Sequence, residues 1–272
     1  MASITAADIK KLREATGAGM TDCKNALVEA DGDYDKAIEQ LRIKGLKGVA
    51  KREGRAASNG LVIAKLDGTT KGTLLELNCE TDFVAKSSKF QELAQTVVDA
   101  AFGSNDTSSV QVDGRALTDV LNDANASMGE KIEVRRVTTF EGAYVATYLH
   151  RTNPDLPPQL GVLVELTAEN AEVAKDVAQH IAAFSPTYVS RAEVPEDVVA
   201  KEREIAEATA KEEGKPEAAL SKIVEGRVNG FFKEQVLLEQ AFAKDNKKSV
   251  GKVLEEAGVQ LTGFARFKVG QA

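Results

Sequence analysis

Glu80 and Asp82 stand two residues apart in Asn78-Cys79-Glu80-Thr81-Asp82-Phe83-Val84-Ala85-Lys86, with a thiol before them and an aromatic ring after. Two carboxylates at that spacing suit two kinds of chemistry. One is a divalent-cation site, in which a magnesium-dependent hydrolase would use Asp82 and Glu80 and turn over with no partner protein. The other is non-covalent: an acid and a ring side by side on a loop, reaching into another protein. As a general base Asp82 is poorly supported, because no further titratable group near it suggests an acid–base pair.

Elsewhere the chain offers little chemistry. His150 and His180 lack the spacing of zinc ligands. There is no phosphate-cradling loop of P-loop spacing, no dinucleotide fingerprint and no Gly-x-Ser-x-Gly elbow. Gly17-Ala18-Gly19 has no strand before it and reads as a helix–helix turn. We therefore expect no covalent catalysis, no cofactor and no bound metal. His180, among apolar helix neighbours, reads as structural; His150, ahead of a Pro-rich loop, reads as a surface contact.

The elements that must position the acid and the ring follow from periodicity. The apolar run Thr73-Leu74-Leu75-Glu76-Leu77 reads as a buried strand, and Ser87-Ser88-Lys89-Phe90-Gln91 as a helix start, so residues 78–86 form a strand-to-helix loop. Residues 61–66 and 71–77 are hairpin partners around Asp67-Gly68-Thr69-Thr70. A helix over 88–102 points Phe90, Leu93, Ala94, Val97, Val98 and Ala101 inward. Residues 103–115 read as loop, 116–128 as helix and 131–140 as strand.

From Gly142 the pattern repeats. Residues 142–148 and 161–166 read as strands and 173–184 as a helix. Gly161-Val162-Leu163-Val164-Glu165-Leu166 lies 89 positions after Gly72-Thr73-Leu74-Leu75-Glu76-Leu77, while Val177-Ala178-Gln179 lies 84 after Leu93-Ala94-Gln95. The first copy thus holds five more residues between strand and helix, and they fall at Thr81-Asp82-Phe83-Val84-Ala85. A repeat lengthened in one copy alone has the form of a site grafted onto a frame.

On either side of this core the pattern is helical. Thr5 and Asp8 form a capping box for a first helix ending at Gly17; a second starts near Thr21 and a third runs from Asp33 to near Gly45. Three helices this short must pack on each other, and the arrangement resembles a ubiquitin-associated-type three-helix domain, which suits a structural bundle and a binding module equally. A basic run, Lys44, Lys47, Lys51, Arg52 and Arg55, follows as a linker helix or a contact. Residues 195–213 and 216–238, joined by Gly214-Lys215-Pro216, form a protruding antiparallel helical hairpin, the first helix with an apolar stripe of Val194, Val198 and Ile205. A short helix over 249–256 and a strand over 261–269 end the chain.

The fold class expected is α+β, divided as a UBA-like three-helix domain (1–55), a first core half (56–140), a second core half (141–193), the hairpin (194–238) and a C-terminal module completing the core (239–272). The chain has 272 residues, 43% hydrophobic and 28% charged, with a net charge of −7. That balance argues against a general nucleic-acid binder. The first 55 residues carry 11 Lys and Arg against 9 Asp and Glu, so the acidity lies in the rest. Two cysteines far apart, no secretory or transit pattern and no membrane-length apolar segment point to a soluble cytoplasmic protein.

Four stretches in order, Leu12-Arg13-Glu14-Ala15-Thr16-Gly17-Ala18-Gly19-Met20-Thr21-Asp22-Cys23-Lys24, the 78–86 loop, Val224-Glu225-Gly226-Arg227 and Thr262-Gly263-Phe264-Ala265-Arg266-Phe267, together resemble bacterial translation elongation factor Ts. The resemblance implies a guanine-nucleotide exchange factor for elongation factor Tu, in a heterodimer or higher complex, with no direct nucleic-acid or membrane contact. By motif, Thr81, Asp82, Phe83 and Val84 fall on the segment associated with dislodging magnesium from the partner. Arg13, Met20 and Thr21 fall where the N-terminal domain meets the partner's nucleotide domain, and Met128, Gly129 and His150 on further contact positions. The rival reading is a helical adaptor that binds a ubiquitin-like or nascent-chain partner through residues 1–55.

Overall fold

Local chemistry sets the first boundary. The Thr5 hydroxyl accepts from the Asp8 N–H at 3.2 Å and the Asp8 carboxylate accepts from the Thr5 N–H at 2.9 Å, which closes both sides of the capping box at the start of α1 (Ala6–Thr16). The computed structural model describes residues 4–271; the side chains of Leu46, Lys47, Val49, Ala50 and Lys51 lie outside it, and with them Lys47 and Lys51 of the basic run. Gly17 ends α1 at φ 69°, a left-handed conformation that glycine adopts without strain. Next come α2 (Met20–Glu29) and α3 (Tyr34–Arg52), the latter capped by the Asp33 carboxylate on the Lys36 N–H. Leu12, Cys23, Ala26, Leu27, Ala37 and Leu41 form the core of this bundle.

The third helix does not stop near Gly45. It runs on to Arg52, carrying much of the basic run as helix. Gly45 is a close-approach residue instead: a Cβ there would lie 2.6 Å from the Ala126 Cβ. The absent side chain lets α3 lie against a core helix, α6 below, and the Arg52 guanidinium donates to the Asn125 carbonyl at 3.1 Å beside that contact.

The core begins with β1 (Asn59–Asp67) and β2 (Lys71–Cys79), then α4 (Asp82–Lys86) and α5 (Ser88–Ala100). A small hairpin, β3 (Gln111–Val112) and β4 (Arg115–Ala116), lies within the expected 103–115 loop and turns on Asp113 and Gly114, both at positive φ. Helix α6 (Leu117–Met128) and β5 (Glu133–Glu141) complete this half. The second half follows the same plan: β6 (Tyr144–His150), β7 (Leu160–Leu166) and α7 (Ala171–Phe184). The chain then leaves as a hairpin, α8 (Glu196–Glu212) and α9 (Glu217–Gln235). It returns through β8 (Ala241–Phe242), β9 (Asp245–Ser249), α10 (Val250–Glu256) and β10 (Leu261–Lys268).

Each half is an antiparallel three-stranded sheet, ordered β1-β2-β5 in the first and β10-β7-β6 in the second. The equivalent strands β2 and β7 are central. Alternation along them settles the layers. Leu75 and Leu77 face α5, packing on the fully buried Phe90, Ala94, Val97 and Val98. Val164 and Leu166 face α7 over Ala174, Val177, Ala178 and Ile181. Their opposite faces meet each other: Val62, Leu74, Val145, Leu163 and Phe267 form one sheet-on-sheet seam.

The seam is reciprocal. A Cβ on Gly72 would stand 3.0 Å from Leu163 and 3.0 Å from Val145, and a Cβ on Gly161 would stand 2.9 Å from Leu74 and 2.5 Å from Val62. Gly72 corresponds to Gly161 and Leu74 to Leu163 along the repeat, so each half offers the other the same glycine notch. This is the two-fold logic of a self-complementary interface, within one chain.

The α8–α9 hairpin buries Val194, Ala206, Val224, Val228 and Phe232. Ile205, expected in the inner stripe, is instead 48% exposed. Ala206 and Ala210 take the inward places, and their small side chains let the two helices approach. At its base the Tyr188 carbonyl accepts from the Leu237 N–H at 2.8 Å and Arg191 forks onto the Glu239 carboxylate. Among the described residues no helix is long and apolar enough to cross a membrane.

Candidate partner-binding site

β2 ends at Cys79, and two residues later the chain enters α4, so the segment expected as loop contains one turn of helix. Thr81 is its N-cap, extended at φ −124°, with its hydroxyl accepting from the Val84 N–H at 3.4 Å. In the second half four residues pass directly from β7 to α7. The five-residue excess of the first copy is this extra turn.

The turn is fixed from outside. The Glu130 carboxylate, just beyond α6, accepts from the Glu80 N–H at 3.1 Å, the Thr81 N–H at 3.0 Å and the Thr81 hydroxyl at 2.5 Å. In return the Glu80 carboxylate accepts from the Lys131 N–H at 2.7 Å and the Arg55 guanidinium at 3.1 Å. The Asn59 amide donates to the Glu80 carbonyl at 2.8 Å. Two carboxylates 50 residues apart thus each take backbone N–H groups of the other's segment.

Below this clasp Ala85 is fully buried and Val84 packs against the α5 side of the sheet. With those two facing inward, Asp82 and Phe83 turn outward, and Phe83 is 79% exposed. The Lys86 ammonium bonds the Asp82 carboxylate at 2.8 Å and holds its carboxyl below the usual range. Asp82 is therefore a fixed anion at neutral pH and a weak base. Burial opposes the charge on Glu80, but the Lys131 N–H and Arg55 outweigh it and keep that carboxyl low as well. Glu80 is committed to the frame, which leaves a hydrolase pairing it with Asp82 without its second group. Burial, with the nearby Glu130 charge adding, pushes the Cys79 thiol up to about 12, and the thiol donates to the Thr81 carbonyl at 3.2 Å. No thiolate nucleophile arises there.

Met128 closes α6, partly buried against the same core, and Gly129 caps the helix at φ 76°. Both adjoin Glu130 and so lie beside α4. Arg13, Met20 and Thr21 are exposed on the N-terminal bundle, Met20 by 48%. Their bundle also meets the core at Gly17, where a Cβ would lie 3.2 Å from Ser127 and 3.3 Å from the Lys89 ammonium. His150 is exposed at the end of β6, its Nδ1 2.9 Å from the Tyr148 hydroxyl. The 150–159 loop after it joins β1, where the Pro158 carbonyl accepts from the Val62 N–H at 2.8 Å, and Asp155 lies near enough to Lys86 for its charge to act there. His180 is buried: its Nδ1 accepts from the Ala243 N–H at 3.1 Å and its Nε2 pairs with the Gln240 side-chain oxygen at 2.8 Å. It ties α7 to the segment after the hairpin.

Sequence reasoning singled out Asp82 and Phe83; it named Arg55 only within the basic run and gave Glu130 and Asn59 no role at this site. Lys86 had a local signal, its i,i+4 spacing from Asp82. Glu130 had none, since its contacts lie about 50 positions away.

The family described as Elongation factor TS matches residues 80–271, a span that opens at the clasp and includes α4. Similar proteins over the whole length include the Elongation factor Ts of Acidothermus cellulolyticus, 62% identical with 100% of both chains covered. Those of Thermobifida fusca, 60% identical with the same coverage, and Streptomyces coelicolor, 58% identical over 99% of this chain and 100% of the relative, are further examples. With a family match over most of the chain and relatives this similar end to end, the chain belongs to the elongation factor Ts family of translation elongation factors.

Proposed function

We propose that this protein is a guanine-nucleotide exchange factor that promotes GDP release from elongation factor Tu in the cytoplasm, with no covalent step of its own. The observation that carries the reading is Phe83, a large ring 79% exposed on a turn whose neighbours are locked into the core. An aromatic side chain of roughly 150–250 Å² held out in this way is suited to anchor in a partner pocket.

The mechanism is one of linkage. GDP and Mg²⁺ hold each other in a GTPase by charge. A factor that binds the emptied GTPase more tightly than the loaded one weakens nucleotide binding by the same factor that nucleotide weakens its own. Phe83 wedges into the partner and displaces backbone near the metal. Asp82, an anion, disturbs by charge and hydrogen bonding the groups that hold the magnesium shell. Thr81 and Val84 set the turn that presents them. Arg13, Met20 and Thr21 form a second contact with the nucleotide domain, and Met128, Gly129 and His150 extend the surface around the turn.

The test is GDP release from elongation factor Tu with this protein and with Phe83→Ala. Wild-type protein should accelerate release. The variant should slow the stimulated rate by about ten-fold or more, equivalent to ~1.4 kcal/mol in the exchange transition state. No stimulation by the wild-type protein refutes the function; an unimpaired Phe83→Ala refutes the wedge.

A further inference from the structure

Resting on that exchange reading, we propose that Glu130 is a positioning residue for exchange: its carboxylate holds the Glu80–Thr81 corner so that Phe83 is presented already ordered. A helix of five residues has little stability of its own, and α4 is one such helix. What fixes its entry is a carboxylate taking three donors at once, two backbone N–H groups and the Thr81 hydroxyl. Charge-assisted bonds of this kind are among the stronger ones in proteins.

The second half supplies an internal control. Its equivalent corner, after β7, is tied by a neutral pair: the Thr167 N–H donates to the Gln260 carbonyl at 2.9 Å and the Gln260 N–H donates to the Thr167 hydroxyl at 2.9 Å. Gln260 precedes β10 much as Glu130 precedes β5. Both halves therefore close the strand-end corner from the start of the third strand. Only the half that inserts an extra turn, with Phe83 on it, between strand and helix closes the corner with a carboxylate. Pre-ordering a binding turn in its bound shape removes the cost of ordering it on contact, so Glu130 acts through Phe83 without touching the partner.

A mutant cycle separates this role from general stability. Stimulated GDP release is measured for wild type, Glu130→Ala, Glu130→Gln, Phe83→Ala and the Glu130→Ala/Phe83→Ala double variant. Glu130→Ala should slow release by about ten-fold in the wild-type background and by less than about two-fold where Phe83 is already gone. Glu130→Gln should restore most of the rate, because its oxygen can take both N–H groups while its amide donates to the Thr81 hydroxyl. Amide hydrogen exchange on the free protein should quicken at Glu80 and Thr81 in Glu130→Ala and stay unchanged in the strands. Equal loss in both backgrounds overturns the proposal, as does wild-type release by Glu130→Ala beside a slow Phe83→Ala. A Phe83→Ala variant as fast as wild type instead refutes the wedge, and the Glu130 role falls with it.

Discussion

Two phenylalanines seven positions apart make opposite predictions for stability. Phe90 is fully buried under the first sheet, whereas Phe83 is 79% exposed. If about a fifth of a roughly 200 Å² ring is withheld from water at Phe83, some 40 Å² is buried, worth ~1 kcal/mol at 25 cal/mol/Å². That figure is a ceiling, since the unfolded chain also hides part of the ring. At Phe90 the lost transfer energy and the cavity left behind bring the cost to about 3–5 kcal/mol. Urea unfolding followed by far-ultraviolet circular dichroism at the two Ala variants reads the difference directly. Phe83→Ala should shift the midpoint little and Phe90→Ala strongly. A loss above about 2 kcal/mol at Phe83 would mean that the ring serves its own fold, and the argument for an outward anchor would collapse.

Two further variants test the frame. Burial lowers the His180 pKa, so as pH falls below about 6.5 the unfolded chain takes up a proton first and stability drops until the folded value is passed. The stability advantage of wild type over His180→Gln should therefore shrink between about pH 7.5 and pH 5.5 in denaturant titrations; a constant gap refutes it. Gly45→Val would push a side chain into Ala126, where a Cβ has 2.6 Å, and should cost about 1–3 kcal/mol in thermal unfolding. Adding Ala126→Gly should recover part of that loss, and no recovery would place the strain elsewhere.

What the sequence made legible was whatever is written locally or by period. The Thr5–Asp8 box, the apolar face from Phe90 to Ala101 and the matched runs at Gly72 and Gly161 each carry their signal within a few residues, and the corresponding elements appear where expected. The misses have tertiary causes. Gly45 read as a stop because glycine often is one, but the neighbour that needs it absent is Ala126, in another element. Ile205 read as buried because it is apolar, yet the hairpin favours the smaller Ala206 and Ala210 at its seam. Asp113-Gly114 did carry a turn signal, the positive-φ pair of a tight hairpin, and it was hidden inside an otherwise polar stretch. At the candidate site, the exposed ring and acid stood out in the sequence while the Glu130 carboxylate beneath them did not.

The notch shared by Gly72 and Gly161 has a bearing on how such a chain can change. The apolar seam between the two sheets is made by strand residues, and its two glycines stand at the ends of β2 and β7 opposite the corners where these strands give way to helices. Extra length outside the seam is thus invisible to the centre: the first half carries a turn with a ring, the second a long two-helix arm after α7, and the mated glycines are the same in both. The middle of the molecule is bound by its own duplicate, which leaves the periphery free to diversify.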